Sequence, residues 1–390
     1  MKHLLERVTL GCDAPFPAEE FHHHVEQLRK ELHKRSLDIY LTTGPENIFY
    51  LSGQQTPGYY TLQCLCVPAS GDPFLIIRGL EAFNARANCY LEDIVGYMDT
   101  EAGGDAVGRV LQERGWKGKR IAIDKNAWYL TANIYQRLEE SLGSMEDGAG
   151  LVEGLRVVKS ELEIKSMELA HVATEAGMKA GVAASQENAS ENDISAETMH
   201  AMIKNGSEYL GMEPLIASGY RSGLPHSTWR RRQVEPGDVV IIENAAAYNR
   251  YHTALFRTVA VSPVPPLVKS LYAICLEAFE AGLEAFKPGN TCADVHNAVQ
   301  SVIDSNDCTE RYRKKSGYSL GISFAPDWGE GNILGLNHDI NVELRPSMVF
   351  HMPITLREYA VFTVAVSESI IVTDQGYRVL GDLPRDLVIH

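Results

Sequence analysis

The chain reads as an α+β protein in two parts. Helix-like and strand-like segments come in clusters instead of strict alternation, which fits an antiparallel or mixed sheet better than a doubly wound one. In addition, 390 residues at about 100 to 200 residues per domain make two domains the default, each long enough to bury its own core.

Taken in order, the first third alternates. Ala18 to Ser36 carries charges at helical spacing, whereas Asp38 to Thr42, Leu62 to Pro68 and Arg120 to Asp124 read as strands, so residues 1–154 form an α/β domain. A boundary is expected in the glycine-rich stretch Gly148 to Gly154, leaving 155–390 as the second domain. Ser160 with Glu163 makes a capping box, which starts a long helix there. Leu267, Leu271, Ile274, Ala278, Ala281 and Ala285 step by fours and threes before Lys287-Pro288-Gly289 ends a second one, and Thr291 with Asp294 caps the next. Strand-like runs lie at Val239 to Ile242, Thr258 to Val261, Met348 to His351 and Ser369 to Thr373, the last closed by the turn signal Asp374-Gln375-Gly376.

Composition narrows the function classes. A formal charge of -15 argues against nonspecific binding to nucleic acid or anionic membrane, because both need clustered Lys and Arg. The one basic cluster, Arg230 to Arg232, is short. No apolar run approaches the roughly 20 residues of a membrane helix, and Met1 to Pro15 lacks the apolar core of a secretion signal, so a cytoplasmic address is expected. The seven cysteines are scattered and read as buried free thiols. His22, His23 and His24 resemble a metal tract but sit on a charged helix and read as exposed.

Three stretches carry the chemistry: Pro225-His226-Ser227-Thr228-Trp229; Gly237-Asp238 followed by Val239 to Asn244; and Tyr251-His252-Thr253-Ala254-Leu255-Phe256-Arg257-Thr258. Together with Leu155-Arg156 to Ser160 and the Lys287-Pro288-Gly289 helix end, they resemble the pita-bread fold family of prolidase, aminopeptidase P, methionine aminopeptidase and creatinase. The resemblance implies a pita-bread catalytic domain behind a creatinase-type α/β N-terminal domain. Peptidases of that family hold two metal ions through two aspartates, a histidine and two glutamates. Here Glu243 stands at the first aspartate, Ala254 at the second, Tyr318 at the histidine, Met352 at the first glutamate, and Ser367 (or Glu368, one residue on) at the last. One or two carboxylates do not make a five-ligand dimetal site, so neither metal nor other cofactor is expected.

The resemblance extends to the family's metal-free branch, which includes creatinase and ectoine hydrolase. It rests on His226, on Glu243-Asn244-Ala245 through His252, and on the block from Gly317-Tyr318 to Pro326-Asp327-Trp328-Gly329-Glu330. Phe256 replaces a creatinase glutamate, which points away from creatine, and Ala365 replaces an acidic residue of ectoine hydrolases. The implied activity is metal-independent hydrolysis of a carbon-nitrogen bond in a small cyclic amidine or related amide. Such a carbon is a poor electrophile, so a nucleophile and a proton donor for the leaving nitrogen are needed. Glu243 is expected as nucleophile or base and His226 as proton shuttle. Trp229, His252, Tyr318, Asp327, Trp328 and Glu330 are expected to bind substrate, with the aromatic rings holding a cation. The family also implies a homodimer, with Tyr59 and Tyr60 as candidates for a cross-subunit contact. Rival readings are a creatinase-like amidinohydrolase, a Xaa-Pro metallopeptidase with a degenerate metal site, and a non-catalytic binding protein on the same fold.

Overall fold

In a computed structural model, which describes residues 5–390, the chain forms two compact units, Met1–Arg156 and Val157–His390. The part of the signal-free reading that concerns residues 1–4 lies outside the described residues.

The N-terminal unit is built on a six-stranded mixed sheet, β1 (Ile39–Thr42), β2 (Cys64–Pro68), β3 (Phe74–Arg78), β4 (Ile94–Tyr97), β5 (Ile121–Ile123) and β6 (Glu146–Asp147), in the order β4-β3-β2-β1-β5-β6. All four residues of β1 are buried, as an interior strand covered on both faces requires. Helices α1 (Ala18–Lys34), α2 (Pro45–Ser52), α3 (Ala82–Asn88), α4 (Gly103–Glu113), α5 (Ala132–Leu142) and α6 (Glu153–Arg156) complete it, with α4 and α5 packed as a pair. On α1 the buried stripe is Phe21, His24, Val25, Leu28 and Leu32. His24 therefore corrects the expectation of three exposed histidines: it falls at helical spacing on the inner face and stacks on Tyr50, ring centroids 3.8 Å apart.

The C-terminal unit opens with α7 (Glu161–Ala184) and α8 (Glu191–Lys204), each started by a capping box, Ser160/Glu163 and Ser190/Asp193. The Glu163 carboxylate also accepts from Tyr251 Oη at 2.8 Å, tying the cap to the sheet. Strands β7 (Leu215–Ser218), β8 (Val239–Tyr248) and β9 (Tyr251–Ala260) follow, then α9 (Pro266–Ala285) and α10 (Cys292–Ser305), the latter capped by Thr291 and Asp294 as expected. The rest is strand: β10 (Gly317–Ser319), β11 (Gly335–Leu336), β12 (Val349–His351), β13 (Ile354–Glu358), β14 (Phe362–Val366), β15 (Ser369–Thr373), β16 (Gly376–Val379) and β17 (Val388–Ile389). They form sheets of order β17-β9-β8-β7 and β11-β10-β12-β15-β16, plus the separate pair β13-β14.

The strands expected at Val239 to Ile242 and Thr258 to Val261 are the ends of one long hairpin. Asn249 and Arg250, with φ of 48° and 61°, make its two-residue turn, the conformation that matches strand twist. The seven cysteines are free thiols, six of them buried and Cys12 exposed. In the basic cluster Arg232 is ion-paired with Asp238, so part of its charge is spent inside the fold. Among the described residues, no helix is long and apolar enough to cross a membrane.

Candidate active site

Strand register positions the central carboxylate. Glu243 on β8 lies between Leu215 on β7 and Phe256 on β9, with Ala217, Ile241 and Thr258 in the next same-face row and Ala245 opposite Ala254. Side chains alternate along a strand, so Ile242 points the other way, into a core with Met178 and Ile194 of the helices. The Glu243 face instead meets the β13-β14 pair: Ile241 and Phe256 pack on Ala365, and Thr258 Oγ1 donates to Ala365 O at 2.9 Å. Glu243 is thus held between two strand layers, with apolar neighbours in its own row.

Its carboxylate makes no hydrogen bond among the described residues, although the residue is only 9% exposed. Burial raises its pKa to about 7; Lys314 and Arg357 pull it down and Asp327 pushes it further up. Lys314 is shifted the opposite way, to about 7, first by burial and then by the Arg357 charge, with Glu243 acting against both. Its Nζ donates to Pro353 O. Burial thus favours the neutral form of both groups, while the charge of each favours the ionised form of the other.

Beside them runs a fixed chain of hydrogen bonds. Trp328 Nε1 donates to Tyr318 Oη at 2.8 Å, Tyr318 Oη meets His351 Nδ1 at 2.8 Å, and His351 Nε2 meets Ser367 Oγ at 2.6 Å. Burial and then the Glu243 charge keep the Tyr318 phenol protonated, and burial keeps His351 neutral. With the phenol donating to Nδ1, the Nε2 proton goes to Ser367. Asp327 Oδ1 accepts from the backbone of Trp328 and Gly329 at 2.7 and 3.1 Å, which fixes that turn.

The residues at the family's metal positions do not fit a dimetal site. Ala254 packs with Leu215, Ala245 and Trp328, with Tyr318 against them, and Met352 belongs to the main apolar core. Ser367 is used by His351, and Glu368 is ion-paired with Arg257 at 2.6 Å and Arg385 at 3.1 Å. Among the described residues of this unit, no three His, Cys, Asp or Glu side chains bring ligand atoms within 4.8 Å of one another. Ala254 and Met352 are thus part of the apolar packing.

His226 lies in an exposed turn with φ of 52°, and its ring makes no hydrogen bond among the described residues. Its loop is tied at both ends: Gly223 O accepts from Ala360 N, beyond β13, at 3.2 Å, and Thr228 Oγ1 donates to Pro214 O, next to Leu215, at 2.9 Å. It therefore spans from the β13-β14 turn to the strand beside Glu243. Trp229, half-buried, is on the same loop. Tyr60 is on the N-terminal unit, 76% exposed, with Tyr59 packed edge-on against Tyr129.

Two expected substrate contacts are corrected. His252 is fully buried, with Nε2 accepting from Gly211 N and Nδ1 on Arg250 O, both at 3.0 Å, so neither ring nitrogen is left for a ligand. Glu330 is ion-paired with Lys159 at 2.8 Å, both side chains at most 1% exposed, and it also accepts from Ile322 N at 3.2 Å. Both residues are framework. Conversely, Lys314 and Arg357 were missed. The alternation Ile354-Thr355-Leu356-Arg357 was the available signal, since it separates an apolar from a polar face and places Arg357 on the polar one.

Residues 165–374 match metallopeptidase family M24, and residues 24–158 match the creatinase/prolidase N-terminal domain. Ectoine hydrolase of Halomonas elongata is 28% identical over 398 residues, covering 96% of this chain and 98% of that protein. An uncharacterized hydrolase/peptidase of Sinorhizobium fredii is 28% identical over 389 residues, again covering 96% and 98%. The crystal structure of prolidase from Pyrococcus horikoshii superposes with a TM-score of 0.83 at 22% identity, covering 94% of this chain and all of that one. The creatinase-type N-terminal domain and the pita-bread domain expected from the motifs are thereby shown.

Proposed function

The chain belongs to metallopeptidase family M24, and we propose that it is a hydrolase opening a carbon-nitrogen bond of a small cyclic amidine or related amide without a metal ion. Similarity to ectoine hydrolase supports the substrate class. The observation that carries the reading is Glu243, a buried carboxylate without a hydrogen-bond partner among the described residues, held in register between Leu215 and Phe256.

In the covalent route, a Glu243 oxygen adds to the amidine carbon. The ring carbon-nitrogen bond breaks as the departing nitrogen takes a proton, and water then cleaves the adduct, so one water is consumed per ring opened. In the alternative route, Glu243 removes a proton from the attacking water. His226 passes the proton to the leaving nitrogen in either case, while Trp229, on the same loop, contacts the substrate.

Chelator-treated full chain should open ectoine to a product one water heavier by mass spectrometry, with creatine and a Xaa-Pro dipeptide left intact. A rate that depends on added manganese or zinc, with cleavage of the dipeptide, would reverse the assignment toward a peptidase. His226→Ala should lower turnover by about 100- to 10,000-fold with an unchanged unfolding curve. A near wild-type rate in that variant would remove His226 from the mechanism.

A further inference from the structure

The β13-β14 hairpin presents more hydrogen-bond donors to the Glu243 layer than the fold uses. Ile354, Leu356, Phe362, Val364 and Val366 face the helical core, so Thr355, Arg357, Thr363 and Ala365 occupy the opposite face. Arg357 and Thr363 are direct cross-strand partners and project together. Arg357 Nε and Thr363 Oγ1 are both buried, and neither has a hydrogen-bond partner among the described residues. The guanidinium's other bond is a long one, Nη1 to Thr355 Oγ1 at 3.3 Å. The nearby Glu358 is already paired with Arg311 at 2.8 Å and does not answer this charge.

Buried donors are ordinarily satisfied, so a vacant fork beside a vacant hydroxyl is the geometry of a site awaiting an oxygen acceptor. Lys314, anchored on Pro353 O one residue before β13, brings a second cation. The charges of Lys314 and Arg357 act on Glu243 in one direction and that of Asp327 in the other. Two basic and two acidic groups balance in formal charge, which suits a zwitterion; a phosphate dianion would meet the two carboxylates.

We propose that Arg357, with Thr363 and Lys314, forms a subsite for a carboxylate carried by the substrate, next to the reacting Glu243. The substrate class is then a small zwitterion bearing a cationic amidine and a carboxylate. The amidine half rests on the function proposed above, while the anion subsite stands on the hairpin alone.

The test uses three probes on the full chain: ectoine and its decarboxylated cyclic amidine by calorimetry, and acetate by saturation-transfer NMR. Arg357→Met should weaken ectoine about 30-fold or more and abolish the acetate signal, while the decarboxylated amidine is not weakened. Arg357→Lys should recover part of the acetate signal, and circular dichroism should match wild type for both variants. Acetate binding that depends on Arg357 supports the subsite even if ectoine is not turned over, a result that would count against the catalytic reading alone. Absence of acetate binding to wild type, equal binding of acetate and ectoine by wild type and Arg357→Met, or a parallel loss of the decarboxylated amidine overturns the proposal.

Discussion

Glu243→Gln is expected to cut turnover by at least about a thousandfold, the scale seen when a reacting group is removed from an otherwise intact site. Gln is the same shape but neither attacks carbon nor takes a proton from water at useful rates. The wild-type pH profile should carry the same signature. With the carboxyl raised to about 7, its ionised fraction drops about tenfold per pH unit below that, so kcat/KM should rise with pH and level off above neutrality.

Stability should run the other way in the acid range. Between the ordinary carboxyl value of 4.5 and about 7 the folded chain holds the Glu243 proton more tightly than the unfolded chain, so stability falls as pH rises through that window. Lys314, lowered from 10.5 to about 7, acts above it: the unfolded chain takes up the proton there, so stability rises with pH. Glu243→Gln should remove the first slope. Urea unfolding at pH 5 and pH 7, with rates on both sides of neutrality, checks both parts. A variant as fast as wild type at pH 8 would end the case for Glu243.

Lys159→Met should damage the fold severely, lowering stability by about 3–5 kcal/mol, because it strands the buried Glu330 carboxylate. The double variant Lys159→Met/Glu330→Gln should recover much of that loss, since no charge is then left unpaired. Urea midpoints of the two variants decide it. Glu330→Gln alone should leave KM unchanged, and a raised KM would return Glu330 to the substrate side. A loss below about 1 kcal/mol for Lys159→Met would show that water reaches the pair.

The helices were legible because their signals are local. Ser160/Glu163 and Thr291/Asp294 announce two starts, and the steps from Leu267 to Ala285 give the extent of α9, although its buried face runs through Val268, Leu271, Cys275, Ala278, Phe279 and Gly282 and leaves Leu267 exposed. The hairpin around Asn249 and Arg250 was less so: residues 244–247 are one Asn and three Ala, with no alternation, because those positions are buried on both faces. Glu243 could be picked out by its place in a motif, but its lack of a partner and its raised pKa come from Leu215, Phe256 and the facing hairpin, which are distant in sequence. The same distance made His252 and Glu330 look like ligand contacts. Each is a polar residue in a motif, and only the positions of Gly211 and Lys159 show that it is already engaged.

The apolar packing at Ala254 bears on how such chemistry can change over generations. An aspartate introduced there would sit against Leu215, Ala245 and Trp328, and a glutamate at Met352 would enter the main core. Each of these substitutions buries a carboxylate in apolar packing, which lowers stability. Single substitutions of this kind in a laboratory lineage should therefore be purged one by one, and a five-ligand dimetal site built at these positions would have to arise by several replacements at once or after prior gains in stability.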